Sequence, residues 1–533
     1  FYNTLQTNWP YVCVYTVYGT PASPITVRNY GYERVVIDGG FYNYTSPSSN
    51  VVIFGLEFTC SGARTNTYEG RPGALSMVDG SKVINCVFHN TGQAGVGGVP
   101  KEVYGNVLAG VGIREYDYVT YWPTNPWTRG SALYLQHQGT NQILVSDNIS
   151  GRNFTTGMKA YAQSTYAENF LFDGNITYMT GGETIEVECT DFVITNASVV
   201  NNVMYHGTKT PMGYYSYDNS WHESLTFSNN YILEAPGPGV AALWVKRWRY
   251  PTVVSNTIVA TCRTNDWRAG LGFGNPDEFG GKFLEVYPST NSSNIVINGN
   301  RYYGGVEQGG DWYASSGTNF GIFYHTYQPF RWRTASPPVV DGTNGNLSFA
   351  YWTNVHGFDV NSSYTTNMPT ANYAMLRTNK YEAGRAHLVV INWETNSYYP
   401  LDLSLVGLTN GQSYEIRDAQ NFGGEPLIRS RFDQSNPIVQ VSLTSTNIQQ
   451  ILDPGDVFYF DANSHSSSLF NVFVIKPSFA TITATPATVT KTIRRGGIRS
   501  RALYSPHSDS CLRVRNCRHS SIVRPSHSSW FFA

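Results

Sequence analysis

Apolar positions along most of this chain alternate with polar ones at a period of two, in short runs of Val, Ile, Leu, Phe and Tyr punctuated by Gly and Asn. Alternation of that kind predicts half-buried β-strands rather than helices. One pattern recurs: an apolar strand, an Asn, then another short apolar strand. It reads VINCVF around Asn85, VYGNVL around Asn106, VSDNIS around Asn148 and FDGNIT around Asn175. It continues as VNNVMY around Asn202, SNNYIL around Asn230, VSNTIV around Asn256 and INGNRY around Asn300. The intervals are 21, 42, 27, 27, 28, 26 and 44 residues, the two long ones fitting either two coils or one coil with an insertion. Near-constant spacing in a strand-rich chain means that each repeat is one coil of a solenoid. Coils of this length, with two or three short strands each, predict an all-β fold, a right-handed parallel β-helix. The Asn residues are expected at the bends, where their conformation tolerates a left-handed turn and their amides bond from coil to coil.

Domain boundaries follow from where the rhythm holds. Residues 1–30 read as a first, irregular coil or the remains of a cap, and 31–305 as the β-helix. Residues 113–130 and 263–290 are too rich in aromatics, Pro or Gly to be coils and read as insertions on one face. An irregular connector follows over 306–370. Over 371–476 AHLVVINWE, YPLDLSLVGL, SYEIRDAQN, IVQVSL and VFYFDA alternate with turn signals, the cadence of a small β-sandwich. Such a domain could cap the solenoid end or bind carbohydrate. Residues 477–533 read as a Thr/Pro linker and a basic tail without strand or helix pattern, disordered or non-native in sequence.

The pieces VVIDGG (35–40), RGSALYLQHQGTNQILVSDN (129–148), WTNVHGFD (352–359), NKYEAGRAHLVVINWE (379–394) and SYEIRDAQN (413–421) carry a resemblance. Over roughly 20–475 the chain resembles right-handed parallel β-helix proteins of the pectate-lyase-like superfamily. More narrowly it is similar to bacterial secreted β-helix proteins that end in a small β-sandwich. The resemblance implies polysaccharide work outside the cell, secreted or at the cell surface. The Asn-Thr-Asp, Asp-Asp, Gly-His-Gly and Arg-Ile-Lys elements of the polygalacturonases do not occur here, nor does the Asp cluster with downstream Arg of the Ca²⁺-dependent pectate lyases. No reaction therefore carries over from the fold.

Composition narrows the partners. Of 533 residues 14% are charged and 41% hydrophobic, which excludes an intrinsically disordered chain. No apolar run is long enough for a membrane-spanning helix. The net charge of −1 hides a split: 491–533 hold nine Lys/Arg against the single acid Asp509, leaving 27 bases and 36 acids in 1–490. An acidic body disfavours nucleic acid as a partner. A monomer is expected, and a mature or truncated product, since the chain begins at Phe1 with neither Met nor signal peptide. Seven cysteines form no C-x-x-C pair, which argues against a zinc site, and no metal ligand set is assigned. Cys60 and Cys86 should lie on adjacent coils, stacked or bonded.

Candidate chemistry comes from stacking the first strands of successive coils: ALYLQHQ (132–138), MKAYAQS (158–164), IEVECTD (185–191), GYYSYDN (213–219) and LWVKRWR (243–249). Alternation turns Leu133, Leu135, Met158, Ala160, Ile185, Val187, Leu243 and Val245 inward. Two outward columns remain, Tyr134–Lys159–Glu186–Tyr215–Trp244 and Gln136–Tyr161–Glu188–Tyr217–Lys246. Asp218 and His222 lie beyond the fourth strand, in a turn expected to overhang the same trough, whereas Glu183 reads as a loop charge. Aromatic faces beside charged groups suit a sugar chain, which offers C–H surfaces for stacking and hydroxyls for hydrogen bonds. Two schemes fit. Glu186 and Glu188 could be base and acid of a glycoside hydrolase, at a same-strand separation of ~7 Å that suits inversion. Alternatively Lys159 or Lys246 could abstract the proton beside a uronate carboxylate, the glutamates holding Ca²⁺, as a lyase. The hydrolase needs no cofactor. A third reading is a non-catalytic carbohydrate-binding surface protein, and the bland one is a salt-bridged Lys159–Glu186 ladder.

Overall fold

The computed structural model describes residues 11–14, 17–30, 33–42, 49–60, 73–92, 94–115, 127–162, 167–189, 193–207, 209–213, 221–234, 241–260, 282–288, 292–304, 312–316, 319–323, 329–332, 346–450, 465–466, 468–478, 492–495 and 498–501. Three long sheets of 12, 10 and 11 strands run side by side, each built from one strand per coil and hydrogen-bonded in parallel to the coils before and after. This is a parallel β-helix, followed by a small antiparallel sandwich. The interior is a continuous apolar column in which every residue predicted to face inward is buried, from Leu133 and Leu135 through Met158, Ala160, Ile185 and Val187 to Leu243 and Val245.

The asparagine ladder runs down the wall, with its two expected roles split between neighbouring residues. Asn106, Asn148, Asn175, Asn202, Asn230, Asn256 and Asn300 are fully buried, and each donates from Nδ2 to the side chain one coil on at 2.8–3.1 Å. From Asn106 to Asn256 the same acceptor oxygen also takes the backbone N–H of the donor residue, as at Asn175 N to Asn202 Oδ1, 2.8 Å, whereas the Asn300 N–H goes to Ser362 Oγ at 2.7 Å. The left-handed conformation belongs to the residue before: Gly105, Asp147, Gly174, Asn201, Asn229, Ser255 and Gly299 all have positive φ. Asn85 is one of these bend residues, not a ladder member. Its neighbour Cys86 takes the ladder position, donating its backbone N–H to Asn106 Oδ1 at 2.8 Å. Cys60 and Cys86 are thiols with no disulfide between them. Cys86 lies wholly in the core, and burial pushes its thiol up to about 12.

The solenoid extends past residue 305. Phe330–Trp332 adds to the first sheet and Ser363–Thr365 to the third. Between them the helix Phe349–His356 closes the end: Ser348 caps its N-terminus, Gly357 at φ 69° ends it, and Trp352 stacks on Phe330 at 5.1 Å. Asp359 terminates the ladder, accepting from Asn300 Nδ2, Tyr302 Oη and Trp352 Nε1 at 2.8–2.9 Å. The supposed connector is thus the cap, and WTNVHGFD is its capping sequence. At the other end Tyr11–Val14 and Ile25–Arg28 pair in parallel with later coils, so residues of the 1–30 segment do form a coil.

The sandwich does not sit at the solenoid end. Its five-stranded sheet orders Tyr373–Thr378, Ala386–Ile391, Phe470–Pro477, Ser413–Asp418 and Ile428–Arg431, and faces the pair Tyr398–Asp402 and Ile438–Ser442 across a core that includes Leu388, Leu401, Phe473 and Val441. Its other face lies along the flank of the third sheet, where Val389, Ile391, Phe470 and Val472 pack on Val107, Ile149, Ile176 and Val203. Arg377 bridges Asp147 and Asp173 at 2.6 and 3.0 Å, and Trp393 Nε1 donates to Tyr231 Oη at 2.8 Å. The expected VFYFDA strand lies outside the described residues. In the tail, Thr492–Arg495 and Ile498–Arg501 pair antiparallel, a hairpin the pattern reading missed although Gly496 and Gly497 separate them in sequence.

Replacing Asn202 by Ala should strand its ladder donors on Asn175 and the Phe172 carbonyl it now satisfies. The expected loss is about 3 kcal/mol or more, whereas exposed Thr226→Ala on the second sheet should stay within about 0.5 kcal/mol. Equilibrium denaturation compares the two.

Candidate functional site

The trough lies on the first sheet, where parallel pairing fixes the rows. Tyr134, Lys159 and Glu186 are direct partners, as are Tyr161 and Glu188, in the predicted register. The next coil departs from prediction. The strand facing Val187 is Thr210–Met212, not the Tyr-rich stretch after it, and Pro211 stands level with Trp244. Tyr215, Tyr217 and Asp218 lie outside the described residues. The row then continues through Trp244 to Glu285 and Arg331, and Lys246 pairs with Tyr287.

Glu186 and Glu188 are both buried, at 2% and 9% exposure, beneath half-buried Tyr134, Gln136, Lys159, Tyr161 and Trp244. Lys159 Nζ meets Glu186 Oε1 at 2.5 Å and lies 4.1 Å from the centre of the Tyr161 ring. Thr156 Oγ1 donates to Glu186 Oε2 at 3.1 Å. Glu188, two residues further along the same strand, interacts with Glu186 through a side-chain hydrogen bond. Burial, then the Glu186 charge and that bond, push the Glu188 carboxyl well above the usual carboxylate range.

Lys209, absent from the expected columns, and Glu183, expected as a loop charge, complete the cluster. Lys209, on the short link before Thr210, lies 3.4 Å from Glu183 and 4.1 Å from the Trp244 ring centre. Glu183 also accepts from Thr156 at 3.2 Å. Burial opposes the charge of both lysines, yet Glu186 foremost for Lys159, and Glu183 foremost for Lys209, hold their ammonium groups above the ordinary lysine value. Burial likewise raises Glu183 before Lys209 and Lys159 bring it below the carboxylate norm. Lys246, 3% exposed, lies 3.6 Å from the Trp244 ring centre and 5.1 Å from that of Tyr287. Trp244 Nε1 is buried without a hydrogen-bond partner among the described residues. The signal for Lys209 was its place at the start of a strand too short and too proline-bearing to read as one.

His222 is not in the trough. It begins the second-sheet strand His222–Ser228 and is fully buried; its Nδ1 accepts the Ile194 N–H at 3.2 Å, and its ring packs 5.0 Å from Trp248. A residue at the turn between two sheets can face the interior, and here the aromatic partner below it decides the matter.

Among the described residues no group of three or more His, Cys, Asp or Glu is placed to hold a metal ion, and no helix is long and apolar enough to cross a membrane. What the fold defines is a class, the parallel β-helix proteins. The chain matches no protein-family model and no curated protein.

Removing the Lys159 ammonium leaves a buried carboxylate uncompensated. Lys159→Met should cost about 3–5 kcal/mol, and adding Glu186→Gln should recover a large part of it; a double-mutant cycle by chemical denaturation reads the coupling. Glu188, with its native pKa raised above the unfolded value, favours folding at low pH, and that contribution disappears as pH rises through the native pKa. Glu188→Gln should therefore gain Tm relative to the parent protein from acid to alkaline pH.

Proposed function

We propose that this protein is an extracellular polysaccharide-active enzyme, a glycoside hydrolase that works in the first-sheet trough. The observation that carries the reading is a buried pair of carboxyls two residues apart on one strand, with Glu186 anchored by Lys159 and Thr156 and the Glu188 carboxyl pushed above the usual carboxylate range by burial and by Glu186. A protonated buried acid beside a second carboxylate is the pairing that glycosidic cleavage requires. Glu188 donates its proton to the departing glycosidic oxygen. Glu186 faces the positive charge that develops on the sugar ring, and the aromatic faces of Tyr134, Tyr161 and Trp244 stack the chain. The buried Trp244 N–H supplies an unmet donor for a sugar hydroxyl.

The lyase alternative is weaker, because Lys159 is kept charged by Glu186 and so is a poor base, and because Glu186 and Glu183 are paired with lysines rather than left open for Ca²⁺. Fold likeness to pectate-lyase-like proteins and secretion belong to this same proposal.

Reducing-end release across a polysaccharide panel tests it. Glu188→Gln should lower kcat by about 10²–10⁴-fold and Glu186→Gln by at least as much. Activity should fall as pH rises through the elevated Glu188 pKa. Glycan binding with no turnover, unchanged in both variants, would establish the non-catalytic binding protein instead. Product absorbance near 235 nm, the mark of an unsaturated uronate, would establish the lyase.

A further inference from the structure

A cleft of about 1570 Å³ opens between the first coils of the solenoid and the charged end of the sandwich sheet, and it shares no residue with the Glu186–Glu188 trough. Eight Lys/Arg and six Asp/Glu line it, a positive excess in an otherwise acidic body. The sheet face that packs on the solenoid through Val389, Ile391 and Val472 changes character at one end, where Arg385, Lys476, Glu415 and Arg417 take over. Glu415 is crowded by cations: Arg417 at 2.6 Å, Lys476 at 3.0 Å and Arg429 at 3.6 Å.

Arg385 is the residue left unexplained by folding. It is 6% exposed and lines the cleft, and its single charged partner is Glu382 at 3.5 Å. Its Nε and Nη2 are buried with no hydrogen-bond partner among the described residues. A buried guanidinium with unmet N–H groups is costly unless something outside the chain completes it, and its planar fork matches a two-oxygen anion. Burial, only partly offset by Glu415, and the nearby Arg385 and Arg417 charges hold Lys476 below its ordinary value.

We propose that this cleft is a second binding site, for a saccharide chain that carries carboxylate or sulfate groups, with Arg385 as the oxyanion anchor. The cleft exceeds the usual ~300–1,000 Å³ of a small-molecule pocket, so an extended ligand fits it, and the Tyr381 and Phe422 rings in its lining give sugar faces a surface. The six interspersed acids repel the dense phosphates of nucleic acid, which favours the sparser charge of an acidic glycan. The proposal does not rest on the hydrolase reading.

Isothermal titration of the full chain with hexamannuronate, a sulfated galactan hexamer and cellohexaose tests it. At least one acidic hexamer should bind tenfold or more tighter than cellohexaose, and the hexamer that does so tells carboxylate from sulfate. Arg385→Met should weaken that binding at least tenfold, and Glu186→Gln should leave it unchanged. Arg429→Ala, at a rim residue 45% exposed, should fold normally and weaken binding severalfold, which keeps the test decisive if Arg385→Met does not fold. Equal binding of the neutral hexamer, no acidic binding, indifference to both arginine variants, or tighter binding of a single-stranded DNA dodecamer would overturn the proposal. None of these outcomes touches the hydrolase reading, which is measured by turnover.

Discussion

From Asn106 to Asn300 each buried amide passes its hydrogen bond to the next coil, and the line ends on the Asp359 carboxylate, which four side-chain donors share. That ladder ties every bend to its neighbours at fixed height. Because the bends cannot slip, the strands between them pair in one register, and a slip of one residue would turn every outward side chain into the core. Lys159 and Glu186 are neighbours for this reason alone. The trough is a property of the register before it is a property of any residue in it.

The trough also shows what a solenoid face costs when it is loaded with charge. Most exposed strands keep their polar groups in water, whereas here Glu186, Glu188, Lys246 and Glu285 are nearly sealed. In this row each of two lysines meets one carboxylate and one aromatic face, Lys159 between Tyr161 and Glu186, Lys209 between Glu183 and Trp244. Burial and the neighbouring Glu186 charge raise the Glu188 carboxyl well above the usual range. Electrostatic confinement, not the identity of a single carboxylate, gives the site its chemistry.

Much of this was legible in the alternation of side chains. Period two placed the interior residues and the Tyr134–Lys159–Glu186 and Tyr161–Glu188 rows, because both follow from strand geometry alone. It failed where geometry departs from the repeat. Pro211 hid a strand of three residues, so the tyrosines after it were taken for the sheet, and Lys209 went unnoticed. Asn85 looked like its fellows, but Cys86 holds the ladder place in that coil. His222 reads as polar and is core, since its ring is matched by Trp248. The lateral position of the sandwich did have a signal: third-sheet strands such as Val107–Ala109 and Ile176–Tyr178 are buried on both faces, as strands covered on two sides are.

That lateral position bears on how the molecule comes apart. An array whose coils touch only their neighbours can fray from a free end, one unit at a time. Here a separate domain reaches across coils from Asn85 to Tyr231 and bonds to several at once. It acts as a splint, so no coil beneath it can peel away without first breaking contacts shared with the others. Unravelling of that stretch becomes a single concerted event, and the trough on the first sheet inherits the rigidity of a bandaged limb.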